Sequence, residues 1–231
     1  MKISAYYLKA RLFPTILTVI PLLVFLNTIV AKYYNDILKE VSIVLPLISG
    51  LGLSAALLFL MVQINRFVAK EAFQRFYFQD EIQMPTTNHL LWKNTFFDSS
   101  VKEKIRSKIQ QKFNIILLTV DEEDLDELKS RKQIVTAVSQ IRNCLRDNKL
   151  LLQHNIEYGF FRNFLGGCLI ATVISIVILL YGLVKIESAV INTGIVLTVV
   201  YLIPILFSNP IIKRFGNYYS KVLYEQFLSI K

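Results

Sequence analysis

The densest run of hydrogen-bonding side chains lies between residues 153 and 163. It contains Gln153, His154, Asn155, Glu157, Tyr158, Arg162 and Asn163. On a helix, Tyr158 lies one turn from Arg162 and can stack on it, and Gln153 lies one turn from Glu157. An apolar stretch begins at Phe164, so these groups enter a membrane boundary, where unpaired polar atoms are costly. One interpretation is an interfacial belt in which these groups satisfy one another's hydrogen bonds. The other is a network, between subunits or in a gate, that couples a cytoplasmic domain to membrane helices.

A second group consists of weakly polar side chains at helical spacing inside two apolar stretches, residues 164–184 and 191–207. Thr172 and Ser175 fall on one face of the stretch 164–184, and Thr198 and Tyr201 fall on one face of the stretch 191–207. Small and weakly polar residues let membrane helices approach closely. These four residues therefore serve helix packing or, in an oligomer, line a weakly polar pore.

The motifs of common enzymes are absent from the sequence. There is no phosphate-binding glycine loop, no dinucleotide fingerprint, no His-Glu-x-x-His and no nucleophile elbow. Cys144 and Cys168, with His89 and His154, are too few for a metal site of cysteine and histidine. We expect no enzymatic activity, no cofactor and no metal.

Four apolar stretches are long enough to cross a membrane as helices. The 231-residue chain is 54% hydrophobic, with a mean hydropathy of +0.47. Residues 12–31, 42–62, 164–184 and 191–207 contain no Asp, Glu, Lys or Arg. Because the connections 32–41 and 185–190 are short, each pair forms an antiparallel hairpin. The predicted fold is an all-α membrane protein with two hairpins flanking a helical insert.

The distribution of positive charge sets the orientation. Of the 26 Lys and Arg residues, three precede the first stretch, sixteen lie in residues 63–163 and four in residues 208–231. The short connections hold the other three. Positive charge favours the cytoplasmic side, so both termini and the insert are predicted to be cytoplasmic, facing an anionic leaflet.

Prolines interrupt the first predicted spans. Pro14 and Pro21 lie in or beside the first, and Pro46 lies in the second. Proline has no amide hydrogen, so each one frees a carbonyl oxygen that a neighbouring helix or water must satisfy.

The predicted spans divide the chain into four segments: a first hairpin (1–62), the insert (63–163), a second hairpin (164–207) and a basic amphipathic tail (208–231).

In the insert, Ser100 with Glu103 predicts a capping box, followed by an apolar face of Val101, Ile105, Ile109 and Phe113.

Further along the insert, Thr119 with Glu122 predicts a second capping box at the start of a longer helix. Its expected core stripe is Leu125, Leu128, Val135, Val138, Ile141 and Leu145. A short strand over 114–120 has no second strand to pair with. The last helix begins near Leu150 and runs into the third span.

The chain resembles a known class in its architecture of two hairpins around a cytoplasmic helical insert. Pro85-Thr86-Thr87 and residues 153–167 add to this resemblance. The chain resembles the membrane effectors of bacterial nucleotide-signalled antiphage systems. The resemblance implies an oligomeric, ligand-gated pore in the bacterial inner membrane, with a nucleotide or oligonucleotide ligand at the cytoplasmic domain. It carries over no ligand-binding residue.

Two functions follow as expectations. The first is a homo-oligomeric channel or membrane-disrupting effector gated through the cytoplasmic insert. The alternative is a membrane-anchored adaptor that recruits a soluble cytoplasmic partner. An ion-coupled transporter is disfavoured, because the predicted spans carry no ionisable group at the midplane.

Overall fold

The computed structural model describes residues 4–30 and 49–230, and every regular element in these ranges is a helix. The main helices are α1 (Ala5–Val30), α2 (Ser49–Val68), α3 (Ser99–Phe113), α4 (Val120–Leu125), α5 (Glu127–Cys144), α6 (Lys149–Lys185), α7 (Ser188–Leu206) and α8 (Ser208–Ser229). A π-helical turn (Ala69–Arg75) and shorter turns connect α2 to α3. The chain is therefore all-α in the part that the structure describes, as predicted.

Three of the described helices are long and apolar enough to cross a membrane: α1, α6 and α7. They cover the first, third and fourth predicted spans, apart from residue 31 and the last residue of the fourth. Many of their apolar side chains face outward, such as Leu23 (53% exposed), Val173 (60%) and Leu206 (70%). This exposure suits lipid rather than water. Residues 42–48 of the second predicted span, the connection 32–41 and Pro46 lie outside the described residues.

The chain divides into two compact units. Unit 1 comprises residues 1–73 and 159–209, and unit 2 comprises residues 74–158 and 210–231. The predicted tail therefore folds in the same unit as most of the predicted insert. Helix α6 contributes its first ten residues to unit 2 and the remainder to unit 1.

Helix α1 of unit 1 is irregular around its two prolines. Its first π-helical turn covers Leu8–Leu12 and its second covers Leu26–Val30. At Val19 the backbone leaves the α-helix, with ψ at −12°. The first π-helical turn and Val19 each lie within two residues of a proline, where the regular hydrogen-bond ladder loses a donor.

Unit 2 has a hydrophobic core to which α3, α5, α6 and α8 contribute. Its buried members are Leu90, Leu91, Ile105, Ile109, Ile134, Ala137, Val138, Ile141, Leu145, Leu151, Val222, Leu223, Tyr224 and Phe227. The predicted apolar face of α3 is confirmed at Ile105 and Ile109, with Val101 and Phe113 packed against the core. Helix α8 is amphipathic because four of its side chains enter this core.

One of the two predicted capping boxes is confirmed. Thr119 and Glu122 cap α4 reciprocally. The box of Ser100 and Glu103 is wrong, because α3 begins at Ser99 with Asp98 at the N-cap, and no side chain caps it. Residues 114–119 form an irregular connection rather than a strand.

The predicted long helix after Thr119 is two helices, with a break at Asp126. The backbone there has φ −144° and ψ 77°, and the Asp126 carboxylate accepts a hydrogen bond from Lys129 N. The break turns Leu125 (88% exposed) and Leu128 (53%) outward, so their prediction as core residues is wrong. Val138, Ile141 and Leu145 are buried as predicted, whereas Val135 is half-buried.

Candidate functional site

Asn163 satisfies one of the carbonyl oxygens that prolines free in α1. Its side chain is buried on α6, and Asn163 Nδ2 donates to the carbonyl oxygen of Ala10 at 2.6 Å. In an α-helix that oxygen would accept from the amide of residue 14, which is a proline. The amide of Asn163 therefore takes the place of the missing backbone donor and joins α6 to α1.

Tyr201 repeats this arrangement one proline later. Its hydroxyl donates to the carbonyl oxygen of Leu17 at 2.7 Å, and the α-helical partner of that oxygen would be the amide of Pro21. The Tyr201 side chain is buried and packs with Cys168 and Ala171. Side chains of α6 and α7 thus satisfy two proline-freed carbonyls of α1, as expected for prolines in membrane helices.

Asn65 on α2 completes the polar contacts of α1. Its Nδ2 donates to the hydroxyls of Thr15 at 3.2 Å and Thr18 at 3.0 Å. Those hydroxyls in turn donate to the carbonyl oxygens of Arg11 and Pro14, each at 2.9 Å. Asn65 was not predicted from the sequence, although an amide three residues after the predicted second span was an available signal.

Gly166 and Gly167 allow α6 to approach these groups closely. A Cβ on Gly166 would lie 2.5 Å from the carbonyl oxygen of Asn65 and 2.7 Å from the amide nitrogen of Ala69. A Cβ on Gly167 would overlap the Thr18 hydroxyl. Only glycine fits this backbone packing, so these two glycines, which follow the predicted polar run by three and four residues, belong to the same site.

The predicted polar run of residues 153–163 is divided between the two units. In unit 2, Gln153 Nε2 donates to Glu157 at 3.2 Å, and His154 Nδ1 lies 3.3 Å from the Glu157 carboxylate. Asn155 is half-buried and Tyr158 is buried. Arg162 and Asn163 belong to unit 1 and are buried there. A belt and a coupling network both remain predictions for this run.

In the other weakly polar candidates of α6 and α7, the hydroxyl donates a hydrogen bond within its own helix, with one exception. The Ser175 hydroxyl donates to the carbonyl oxygen of Ala171 and that of Thr198 to Gly194, each at 2.7 Å. Thr172 is buried, and its hydroxyl has no hydrogen-bond partner among the described residues. Such bonds lie within one helix, so helix packing and a pore lining in an oligomer both stay predictions for these residues.

Unit 2 contains a buried ion pair that sequence analysis missed. Arg106 NH2 lies 3.3 Å from Glu123 Oε2, and both side chains are less than a tenth exposed. Glu123 also accepts from Trp92 N at 2.6 Å and from the Ser130 hydroxyl at 2.7 Å. Arg106 donates to the carbonyl oxygens of Leu90 and Leu118, both at 2.7 Å.

Trp92 adds two contacts to this cluster. Its ring lies under the Arg106 guanidinium at 4.3 Å, and its indole N–H donates to Leu118 O at 3.1 Å. Burial lowers the pKa of Arg106, and the Glu123 carboxylate opposes that shift. Because every member has several partners, we assign the cluster to holding the irregular segment 114–119 and the loop around Trp92 in place.

A cavity of about 360 Å³ in unit 2 is lined mostly by polar side chains. The lining residues are Phe78, Pro85, Asn88, His89, Asn94, Thr95, Phe96, Lys213 and Asn217. His89 is buried in its wall, stacked on Phe96 with the ring centroids 3.7 Å apart. The His89 Nδ1 atom and the Ser220 hydroxyl share a hydrogen bond of 2.8 Å.

Burial lowers the pKa of His89 to about 4, while a hydrogen bond with Asn217 opposes the shift. The His89 ring is therefore neutral near pH 7. The one charged residue that lines this cavity is Lys213. The cavity thus presents a positive charge together with amide, hydroxyl and imidazole groups.

Comparison with protein-family models, with curated proteins and with solved structures found no match for the chain.

Proposed function

We propose that this chain is a homo-oligomeric channel or membrane-disrupting effector that is gated through unit 2. In this proposal the chain crosses the bacterial inner membrane four times, as two hairpins, with both termini and unit 2 in the cytoplasm. The second span is residues 42–62, of which α2 provides the second part, and no charged residue precedes Arg66 in that helix. The role in antiphage defence comes from the resemblance described above.

The observation that carries the proposal is the hydrogen bond between Asn163 and Ala10. Asn163 lies on α6, the helix whose first turns pack Leu151 into the core of unit 2. Its partner, the Ala10 carbonyl, lies within the first π-helical turn of α1. A displacement of α6 along its axis therefore acts directly on the proline-containing start of the first span.

The energy of this contact is sufficient for a gate. A buried carbonyl left without a donor costs about 1–3 kcal/mol. Since about 1.4 kcal/mol is a tenfold change in an equilibrium constant, loss of one such bond shifts a two-state gate by one or two orders of magnitude. The Tyr201 hydroxyl on Leu17 would hold the second proline of α1 in the same way.

A pore requires several copies of the chain. Four membrane helices are too few to enclose a water-filled path, so the channel is an oligomer in this proposal. In unit 2, exposed apolar side chains surround α4: Ile116 is 67% exposed, Val120 48%, Leu125 88% and Leu128 53%. We name these four residues the α4 patch. In this proposal these side chains contact a second copy, which removes their apolar surface from water.

The gating ligand in this proposal binds in the cavity beside His89. The cavity is within the size range of small-molecule sites, and Lys213 suits an anionic ligand. A nucleotide, as the resemblance implies, has both the negative charge for Lys213 and the hydrogen-bonding groups for the Asn94 and Asn217 amides.

The α4 patch also favours the alternative function, a membrane-anchored adaptor. In that case the patch binds a soluble cytoplasmic partner instead of a second copy.

Light scattering of the purified chain in mild detergent distinguishes the two functions. For the channel we expect a discrete homo-oligomer that Leu125→Asp dissociates, while Leu150→Asp, at an exposed position of unit 2 at the start of α6, is the matched control for added charge. A wild-type protein that runs as a monomer contradicts the channel.

A further inference from the structure

Three arginines lie at the ends of the apolar stretches of three helices in unit 1. Arg11 precedes the apolar stretch of α1, Arg66 follows that of α2 and Arg162 precedes that of α6. All three therefore lie where an apolar helix surface gives way to polar residues. In a membrane this is the depth of the lipid headgroups.

Backbone contacts bring the three positions together. Asn163 bonds to the carbonyl of Ala10, so the neighbouring residues Arg162 and Arg11 lie beside the same contact. Gly166, one turn after Arg162, packs against the backbone of Asn65, the neighbour of Arg66. Three helices thus meet within one turn of the three arginines.

Tyr6 fixes the side chain of Arg11 in this arrangement. The Arg11 guanidinium carbon lies 5.3 Å from the centroid of the Tyr6 ring. The Tyr6 hydroxyl lies against Gly159, where a Cβ would be only 2.9 Å away. Gly159 is three residues before Arg162 on α6, so Tyr6 holds Arg11 against the same helix turn.

Two of the three positive charges, those of Arg11 and Arg66, have little compensation. Arg11 and Arg162 both act on Arg66 by Coulomb repulsion. Neither Arg11 nor Arg66 forms an ion pair with an acidic side chain among the described residues. Like charges that repel one another at a membrane boundary raise the energy of the folded state, and a bound anion lowers it.

We propose that Arg11, Arg66 and Arg162 form a binding site for a phosphate-bearing anion, occupied in the membrane by the headgroup of an anionic phospholipid. Guanidinium groups bind phosphate oxygens through paired N–H donors, and they do so better than ammonium groups. A headgroup at the ends of the apolar helices would neutralise the cluster and hold α1, α2 and α6 together.

The test is native mass spectrometry of the full-length protein in a neutral detergent, titrated with phosphatidylglycerol. Phosphatidylcholine, with no net charge, is the control lipid, and inorganic phosphate is the soluble source of the same anion. The variants are Arg66→Gln, Arg66→Lys and the matched control Lys70→Gln, which removes an exposed charge one turn further along. Arg11→Gln is the second test variant, used alone if Arg66→Gln loses its helical circular dichroism.

We expect Arg66→Gln and Arg11→Gln each to weaken phosphatidylglycerol binding about fivefold, the contribution of one basic residue near an anionic surface. Lys70→Gln should bind like the wild type, and Arg66→Lys should retain part of the affinity. Competition by inorganic phosphate supports the same site and shows that soluble anions reach it. Equal binding of phosphatidylcholine, or equal affinity in Arg66→Gln and Lys70→Gln, overturns the proposal.

Discussion

At the scale of single residues, His89 makes the stability of unit 2 depend on pH. Its folded-state pKa of about 4 lies below the ordinary value of 6.5, because burial disfavours the charged ring. Lys102 acts in the same direction, and Lys213 is the charged residue lining the adjacent cavity. The neutral ring therefore does not reduce the free energy of unfolding of unit 2 above pH 6.5. This free energy falls as the pH is lowered from 6.5 towards 4.

We predict that this one group removes about 3 kcal/mol from the free energy of unfolding between those pH values. Trp92, the single tryptophan of the chain, lies in unit 2 and reports its unfolding by fluorescence. His89→Gln keeps a hydrogen-bonding side chain that does not titrate, so its pH dependence should be flatter over this range. Parallel curves for the two proteins would show that His89 titrates normally.

Residue-scale features were the hardest to predict from the sequence. Lys102 and Arg106 lie outside the predicted apolar face of α3, yet both are buried and bonded to backbone carbonyls. Their partners, such as Leu90, Leu91 and Leu118, lie in irregular segments whose paths depend on tertiary packing. Asn65 was missed for the same reason, because its partners are about 50 residues away in the chain.

At the scale of helices, prediction succeeded wherever the cause is local. The capping box of Thr119 and Glu122 needs only residues three apart, and it is confirmed. The apolar length of α6 and its continuity into the third span also follow from local composition. The break at Asp126 was missed because a second N-cap inside an acidic run looks like ordinary helix N-terminal charge.

The packing of α6 against α2 leads to a prediction about two glycines on one helix. Gly166→Ala places a Cβ against the backbone of α2, which cannot move away cheaply. Gly159→Ala meets chiefly the Tyr6 hydroxyl, the end of a side chain that can rotate. Because both changes gain about 1 kcal/mol from helix propensity, the difference between the unfolding free energies of the two variants reports the steric contact alone.

We therefore expect Gly166→Ala to lower the thermal midpoint of the purified protein well below that of Gly159→Ala, with a free-energy loss of about 2 kcal/mol or more. The readout is the loss of helical circular dichroism on heating in detergent. If Gly166→Ala melts at or above the temperature of Gly159→Ala, α6 and α2 do not pack as described.

At the scale of the whole molecule, the orientation of the chain rests on its charge distribution. Cysteine labelling with a membrane-impermeant reagent tests it in cells, in a background without Cys144 and Cys168. We expect Ser188→Cys to react from outside and Ser139→Cys and Ser229→Cys to react only after lysis. All three positions are exposed, whereas Ser130 is unsuitable because it is buried against Glu123. Labelling of Ser139→Cys in intact cells contradicts the orientation.

In the function proposed for the chain, unit 2 gates an ion path through the contact between Asn163 and α1. The most direct measurement is ion flux from liposomes containing the purified oligomer, compared between the wild type, Asn163→Ala and the control Thr193→Ala. Thr193 is an exposed residue of α7 whose hydroxyl bonds only within its own helix. We predict that Asn163→Ala changes the flux at least tenfold, with equal insertion and assembly, while Thr193→Ala matches the wild type. Liposomes that stay impermeable with all three proteins would contradict the account.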